Sequence, residues 1–563
     1  MSPRPADYPP PFSPAEAIGQ PSDEDPIEVG MLVVGAGPAG LACAIRFGQL
    51  LEGSPETAER LGEVPVAVLE KGKQAGSHLL SGAVVNPRSL RRLFAGSKRT
   101  ADMPFFAEVE HEAVYFLTRR RAFRIPAPPT MRNRGNYVAS LSQLGRWLAK
   151  EAESTGATVL PGTAAEKLLV SEGRVRGVRT GDRGRGRDGK PAANFEPGSD
   201  VLARVTVLAE GTQGHLTGAA IDRFGLGGES PQVWALGVKE VWKVHRPLDR
   251  VIHTMGWPLR LRGRYREFGG SFIYPMGDDM VTLGMVVGLD YRDVELSAHD
   301  LLQELKTHPK IRRILEGGER VAWGAKTIPE GGLNALPRRL HAPGLLLCGD
   351  GAGFVNVPAL KGIHYAIESG ILAAEAAFAS LRPGETPTRP GALARYDDAV
   401  RGSFVWKDLW RVRNMRQGFG RGFVIGTAVA GAATVSAGRV PPNTLATEPD
   451  AEQELIRTDR ASRYPAPDGT LVFDKLSSVF LSGNKTRDDA PSHLRVARRV
   501  PREVAELWTR MCPAQVYEVG PEDAGKVAVE VTPSNCVQCG AITAKGGRLT
   551  PAEGGAGPEY TLT

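Results

Sequence analysis

Residues 31–40 read Met-Leu-Val-Val-Gly-Ala-Gly-Pro-Ala-Gly and open the first substantial apolar segment of the chain. Met31–Val34 predict a short buried strand, Gly35-Ala36-Gly37-Pro38-Ala39-Gly40 a G-x-G-x-x-G turn, and Leu41–Leu50 an amphipathic helix. A dinucleotide site needs this order. The first glycine permits the tight turn, the second lets pyrophosphate approach the backbone, and the third packs helix against strand. The phosphates then sit on the positive helix N-terminus. Val66–Leu69 predict a second strand ending at Glu70. A carboxylate there can accept hydrogen bonds from an adenosine ribose 2′-hydroxyl and would repel a 2′-phosphate. Gly40 and Glu70 lie farther apart than the usual ~20 residues, and the polar stretch 51–65 accounts for the excess. A lone glycine turn often serves chain geometry only. Set between two strands with a terminal acid, this one reads as a nucleotide site.

At 563 residues the chain has room for several domains and an ample core. Its 41% hydrophobic and 24% charged composition is that of a soluble protein. The net charge of +7 favours acidic partners or an anionic membrane surface, but Lys and Arg do not cluster as nucleic-acid binding requires. Five cysteines are too few for a disulfide framework, which points to a reducing compartment. Residues 1–29 are proline-rich, carry the acidic run Ser22-Asp23-Glu24-Asp25 and lack an apolar signal core, so they predict a disordered cytosolic leader.

Along the chain, Ser77–Pro87 form a glycine-containing loop near the nucleotide pocket, with Lys71, Ser81 and Gly82 among the expected lining. Phe105–Thr130 predict strands and a loop leaving the nucleotide domain, Leu141–Ala157 a helix, and 181–200 an exposed hairpin. Val201–Glu210 form a strand running into Gly211-Thr212-Gln213-Gly214-His215, which offers backbone donors at a sheet's carboxyl edge. His215 is left without a role. Residues 234–290, rich in aromatics and glycine, predict antiparallel strands of an inserted second domain. Leu345–Cys348 then return as a strand feeding Gly349-Asp350-Gly351-Ala352-Gly353. Gly349, Asp350 and Gly353 at that strand end suit the ribityl hydroxyls and pyrophosphate of a flavin. Three separated strand–turn units thus converge on one FAD.

Residues 418–440 contain one of the two longest uncharged runs, 422–438, between Arg421 and Arg439. It is shorter than the ~20 strongly apolar residues a spanning helix needs. It reads either as an interfacial segment or as a buried helix pair. Cys512-Pro513 and Cys536-Val537-Gln538-Cys539 are similar to ferredoxin-type iron–sulfur ligation, and no histidine lies in that segment to complete a zinc site. Cys43 and Cys348 sit inside apolar elements as small core residues.

With these pieces placed, the chain from residue 30 onward resembles the electron-transfer flavoprotein–ubiquinone oxidoreductase family. The resemblance rests on VVGAGPAGLACAIR, LSGAVVNP, VTVLAEGTQGHL, GWPL followed by FGGSFIYPM, LEGGERVAWGAKTIPEGG, GFVNVPALKG, PDGTLVFDKLSSVFLSG, CPAQVYE and PAEGGAGPEY. It implies an α/β plus α+β chain in which a Rossmann-type, glutathione-reductase-like FAD domain (30–235 and 320–400) carries an inserted antiparallel quinone-binding, membrane-associating domain (236–319 and 401–500). A ferredoxin-like iron–sulfur domain (501–563) follows. Gly269 and Gly270 match the family's quinone-contacting Gly-Gly, and 418–440 corresponds to its membrane-facing surface. The implied location is monotopic, on the cytoplasmic face of a bacterial inner membrane. The implied partners are electron-transfer flavoprotein and a membrane quinone, ubiquinone or menaquinone.

One departure stands out. The family's C-x-x-C-x-x-C run supplies, with the isolated Cys-Pro, four ligands to a 4Fe–4S cluster. Here Cys512, Cys536 and Cys539 remain, and the fourth position is Ile542. Three thiolates are compatible with a 3Fe–4S cluster, with a 4Fe–4S cluster completed by solvent or another oxygen, or with loss of iron. An electron relay needs no acid–base residue, so none is nominated. Two other readings share these motifs: an FAD-dependent monooxygenase or prenyl reductase acting on a hydrophobic substrate, and a cluster-less docking homologue.

Overall fold

Ile27–Val34 is buried along most of its length because parallel strands flank it on both sides. Met31–Val34 pair with Val66–Leu69 on one side, and Ile27–Val34 with Val201–Leu208 on the other. The computed structural model describes residues 2–22, 25–97, 99, 102–277, 279–385 and 391–563. Thr158–Leu160 extends the sheet in parallel beyond Val66–Leu69, and Leu345–Leu347 joins Asp200–Leu208 from the far end of the sequence. These strands belong to one nine-stranded sheet, packed against the helices Pro38–Glu52, Leu141–Ser154 and Ile363–Leu381 in a single apolar core.

The opening segment is ordered, contrary to the expectation of a disordered leader. Ile18–Gly19 pairs in parallel with Leu168–Leu169 at the sheet edge, and Pro5 and Ala17 are buried. The Leu455 amide donates to Pro3 O, and the Ser22 amide to Asp200 Oδ2 at 2.6 Å. Pro5 and Pro14 sit at first-turn positions of 3₁₀ helices, where no amide hydrogen is missed. Asp23 and Glu24 of the acidic run lie outside the described residues.

The expected hairpin in 181–200 is present as Arg183–Arg185 against Pro191–Glu196. The second sheet has seven strands in the order Glu319–Pro329, Trp234–Lys243, Met280–Gly288, Gly269–Pro275, Val251–Gly256, Glu112–Leu117 and Ala122–Ile125. All neighbours are antiparallel except Val251–Gly256 with Glu112–Leu117. Residues 112–125 and 320–329 therefore build this sheet, although the sequence-based division placed them with the nucleotide fold. Alternating apolar residues mark a strand but do not name its partner.

The helix Ala298–Lys306 covers one face of the second sheet, and the core beneath it holds Trp242 and Trp323. That core continues into the last segment, through Trp508 of the helix Arg502–Met511 and the hairpin Tyr517–Asp523/Lys526–Val531. Residues 555–563 then run back across both sheets. The Gly555 amide donates to Lys71 O, the Ala325 amide to Tyr560 Oη, and the Ser142 amide to Thr563 O.

In the 418–440 run a helix spans Phe423–Val435 with only Gly426 and Ala433 buried. Val424 is 80% and Val435 92% exposed. The run is not a buried helix pair. Among the described residues no helix is long and apolar enough to cross a membrane.

Candidate functional site

Two glycines set the nucleotide turn. Gly35 has φ +107°, and a Cβ there would lie 2.5 Å from Ala209 O. At Gly40 a Cβ would lie 2.1 Å from Gly35 O, so the helix Pro38–Glu52 can begin hard against its strand. Over Gly37 the space is open, with Leu79 Cδ2 at 3.8 Å its only neighbour. That opening faces a cavity of about 990 Å³ lined by Gly35, Gly37, Pro38, Ala39, Glu70 and Lys71. Ser81, Gly82, Gly349 and Asp350 line it as well. Gly40 and Gly353, both expected at the cofactor, do not. Gly40 backs the turn, and Gly353 closes the short helix Gly349–Ala352 in the left-handed conformation, where a Cβ would meet Gln232 Nε2.

Glu70 accepts from the Ala36 amide at 3.0 Å and the Gly72 amide at 2.7 Å, so it fixes the glycine turn as well as lining the cavity. Burial pushes its carboxyl up, against the two amides and Lys71, which favour the carboxylate. Burial likewise pushes Asp350 up to about 6. A turn open over Gly37, an acid at the second strand end and an acid on the distant strand–turn fit a flavin dinucleotide.

The same cavity continues past Gly269 and Gly270 to Met415, Phe419 and the helix residues Phe423, Thr427 and Ala430. Strand contact demands glycine at both positions of the pair: a Cβ would lie 2.0 Å from Val286 O at Gly269 and 2.5 Å from Thr254 O at Gly270. His253 Nε2 lies 2.7 Å from Tyr274 Oη in this wall, and burial holds its imidazole down at about 3.

Three lysines in the lining, Lys239 and Lys361 buried and Lys326 half-buried, escaped the sequence reading. Lys239 donates to Ser81 O at 2.8 Å and is held down to about 7 by burial. Lys326 and Lys361 are each held down to about 8, again by burial. The available signal was a lone lysine inside an apolar strand, as in Leu236-Gly237-Val238-Lys239. His215, left without a role, lines the cavity from a helix start with Nε2 3.2 Å from Glu166 O, and burial holds it at about 4.

Cys512, Cys536 and Cys539 are buried free thiols brought together around a space of about 20 Å³. No three His, Cys, Asp or Glu side chains among the described residues converge closely enough for a single metal ion. A cluster spreads its ligands over separate irons, so the donor set decides the fit. The Gln538 amide donates to Cys536 Sγ at 3.3 Å; burial pushes the Cys512 thiol up, against Lys475 and the Ala514, Gln515 and Val516 amides, which favour the charged sulfur. Thiols ringed by backbone amides fit thiolate ligation of an iron–sulfur cluster.

This loop abuts the large cavity. Gln538, between the two cysteines, lines it; Lys71 Nζ donates to Gln538 Oε1 at 2.7 Å and Lys326 Nζ to Gln538 O at 3.1 Å. Thr327 donates to Cys539 O through both its amide and its hydroxyl, and that hydroxyl is 2.9 Å from Thr212 Oγ1 of the glycine turn.

Comparison with known proteins agrees with this construction. A family model described as ETF-QO, ubiquinone-binding matches residues 234–328. One described as electron transfer flavoprotein-ubiquinone oxidoreductase, 4Fe-4S matches residues 469–561. The mitochondrial electron transfer flavoprotein-ubiquinone oxidoreductase of Arabidopsis thaliana is 39% identical, covering 97% of this chain and 86% of that protein. The protein of that name from Pseudomonas aeruginosa is also 39% identical, covering 91% of this chain and 94% of its own. Among solved structures, a geranylgeranyl bacteriochlorophyll reductase-like protein from Thermoplasma acidophilum superposes with a TM-score of 0.56 at 18% identity, covering 74% of this chain and 97% of that one. Its likeness concerns the fold alone. With the FAD fold, the quinone-binding region and the cysteine segment all matched, the chain belongs to the electron transfer flavoprotein–ubiquinone oxidoreductase family.

Proposed function

We propose that the chain takes electrons from a reduced electron transfer flavoprotein and passes them, through FAD and an iron–sulfur cluster, to a quinone held in the membrane. One observation carries this reading above the rest. A single cavity runs from the glycine turn past Gly269 and Gly270 to an exposed apolar helix, and the C-x-x-C loop forms part of its wall.

When bound, FAD and the cluster supply the redox chemistry. The protein's residues position them. The Gly35–Gly40 turn and Asp350 hold the dinucleotide, Glu70 fixes the turn, and Lys71 and Lys326 tie the cysteine loop to the flavin side through Gln538. Gly269 and Gly270, whose lack of side chains lets their strand pack closely, present bare backbone to the part of the cavity where a quinone ring would lie beside the flavin. The helix Phe423–Val435 lies on the membrane surface between Arg421 and Arg439, and quinone enters along its inner side. In this division the nine-stranded sheet is the FAD domain, the seven-stranded sheet the quinone domain and residues 501–563 the cluster domain. Whether the acceptor is ubiquinone or menaquinone follows from the same assay.

The test uses the full chain in vesicles, with reduced electron transfer flavoprotein as donor and ubiquinone or menaquinone as acceptor. Ala430→Trp, at a cavity-lining position of the outer helix away from the glycine turn, should abolish quinone reduction while FAD remains bound and reducible by the donor. Normal turnover in that variant overturns the channel assignment. Rapid flavin reduction by NADPH, with none by the flavoprotein, overturns the function.

A further inference from the structure

The segment holding Cys512, Cys536 and Cys539 departs from a four-thiolate site at one corner. Ile542 occupies that corner, 4% exposed, at the start of a short turn Ala541–Ala544. Its side chain packs on the backbone across the turn, so closely that a Cβ on Gly547 would lie 2.6 Å from Ile542 Cγ1. Leu494 and Leu549 close the corner from the neighbouring two-stranded sheet.

Among the described residues, the oxygens carried beside Ile542 are already engaged. The Ile542 carbonyl is engaged by the Lys545 and Gly547 amides. Thr543 Oγ1 accepts from the Leu549 amide at 2.9 Å, and the Gln538 side chain bridges Lys71 and Ala556 O on the flavin side. Beyond the three thiols, the side-chain heteroatoms in the lining are the Met511 thioether, a weak ligand, and the Tyr517 hydroxyl. The apolar packing at Ile542 also denies a solvent ligand to a fourth iron.

We infer that this chain carries a three-iron cluster, in which Cys512, Cys536 and Cys539 each ligate one iron and Ile542 closes the fourth corner against iron. The inference rests on the reading of this segment as a cluster site and specifies what the site accepts. Cluster type is set by ligand number and solvent access, so an apolar side chain at one corner leaves the stable product one iron short of a cubane.

The test is made on the full flavin-loaded chain, purified anaerobically, with iron, sulfide and flavin assayed together. The expected result is about three irons per flavin. The oxidised protein should give a narrow, nearly isotropic EPR signal that is recovered on reoxidation by quinone after anaerobic incubation with ferrous iron and thiol, with the iron count unchanged. Ile542→Cys should then take up a fourth iron, lose that oxidised-state signal and gain one on dithionite reduction. Four irons in the unaltered chain overturn the inference and leave the cluster reading intact. If Tyr517→Phe lowers that count, Tyr517 is the unforeseen ligand. Full flavin with no iron overturns the cluster reading itself. Uptake of ferrous iron by the unaltered chain, with loss of its EPR signal, overturns the closed corner.

Discussion

Replacing Glu240 by Gln should destabilise the second sheet strongly while changing almost no volume. Glu240 is fully buried on Trp234–Lys243, and its carboxylate accepts from Lys306, Trp242, Gln303 and Arg320. Lys306 Nζ lies 2.8 Å from Oε2, Trp242 Nε1 2.8 Å from Oε2, and Gln303 Nε2 3.1 Å from Oε1, while Arg320 Nη1 approaches Oε1 at 3.3 Å. Burial alone would raise this carboxyl; Lys306 and Arg320 outweigh it and hold it at about 2. Glutamine removes the charge, leaves two buried cations uncompensated and turns an amide donor toward other donors. Breaking such a buried pair costs about 3–5 kcal/mol, and the depressed carboxyl implies a similar loss, about 3 kcal/mol at 1.36 kcal/mol per unit. For a cooperative unit of about 200 residues that lowers Tm by roughly 10 °C. Calorimetry and urea unfolding of Glu240→Gln at neutral pH should show this. The depressed carboxyl also fixes a pH window. Its contribution is complete above the ordinary glutamate value and is lost as pH falls toward about 2, so the variant should flatten the acid limb of the stability curve there. A triple replacement of Glu240, Lys306 and Arg320 by Met should recover most of the loss. A Glu240→Gln protein within about 1 kcal/mol of the parent would refute the reasoning, because one neutral hydrogen bond accounts for no more than that.

Two further outcomes follow from the cavity and one from its outer helix. Gly37→Ala places a methyl in open space facing the flavin, so thermal stability without flavin should hold within about 0.5 kcal/mol while FAD binding, followed by fluorescence quenching, weakens at least tenfold. Gly35→Ala meets Ala209 O at 2.5 Å with φ +107°, so both quantities should fall, stability by about 1–3 kcal/mol. Val424→Asp with Ile425→Asp should release the protein from quinone-containing vesicles in a flotation assay yet leave reduction of a soluble acceptor unchanged, since neither residue lines the cavity.

Much of this site is readable in the sequence because nucleotide turns are local. Gly35 to Gly40 and Glu70 belong to one strand–turn–helix–strand unit, and Gly349–Asp350 to another, so spacing alone places them. The hairpin within 181–200 was equally local. Pairing across long separations was not. Glu112–Leu117 lies in a stretch read as strands and Glu319–Pro329 in one given no strand, and only the closed sheet places both beside Trp234–Lys243 and its neighbours. Lys239 and Lys326 look like ordinary charged residues until burial puts them in the cavity wall, each held by one backbone carbonyl. The opening segment misled for a related reason: its prolines suggest an unpaired chain, and the contacts that order it come from residues 168, 200 and 455. Ile542 was visible as a departure from the pattern, but the apolar packing around it needed three dimensions.

Residues 555–563 carry a consequence for kinetics. They tie Lys71 beside the flavin cavity, Ala325 of the second sheet and Ser142 of the nucleotide fold to the segment that bears the cysteines. A carrier that swings a tethered head between donor and acceptor slows in viscous solvent, because each cycle includes a diffusive excursion. Here the two redox centres are stitched into one frame, so hopping between them has a fixed span and involves no stroke. Sucrose or glycerol should therefore retard only the encounter with the incoming flavoprotein, leaving internal electron exchange as fast as in water.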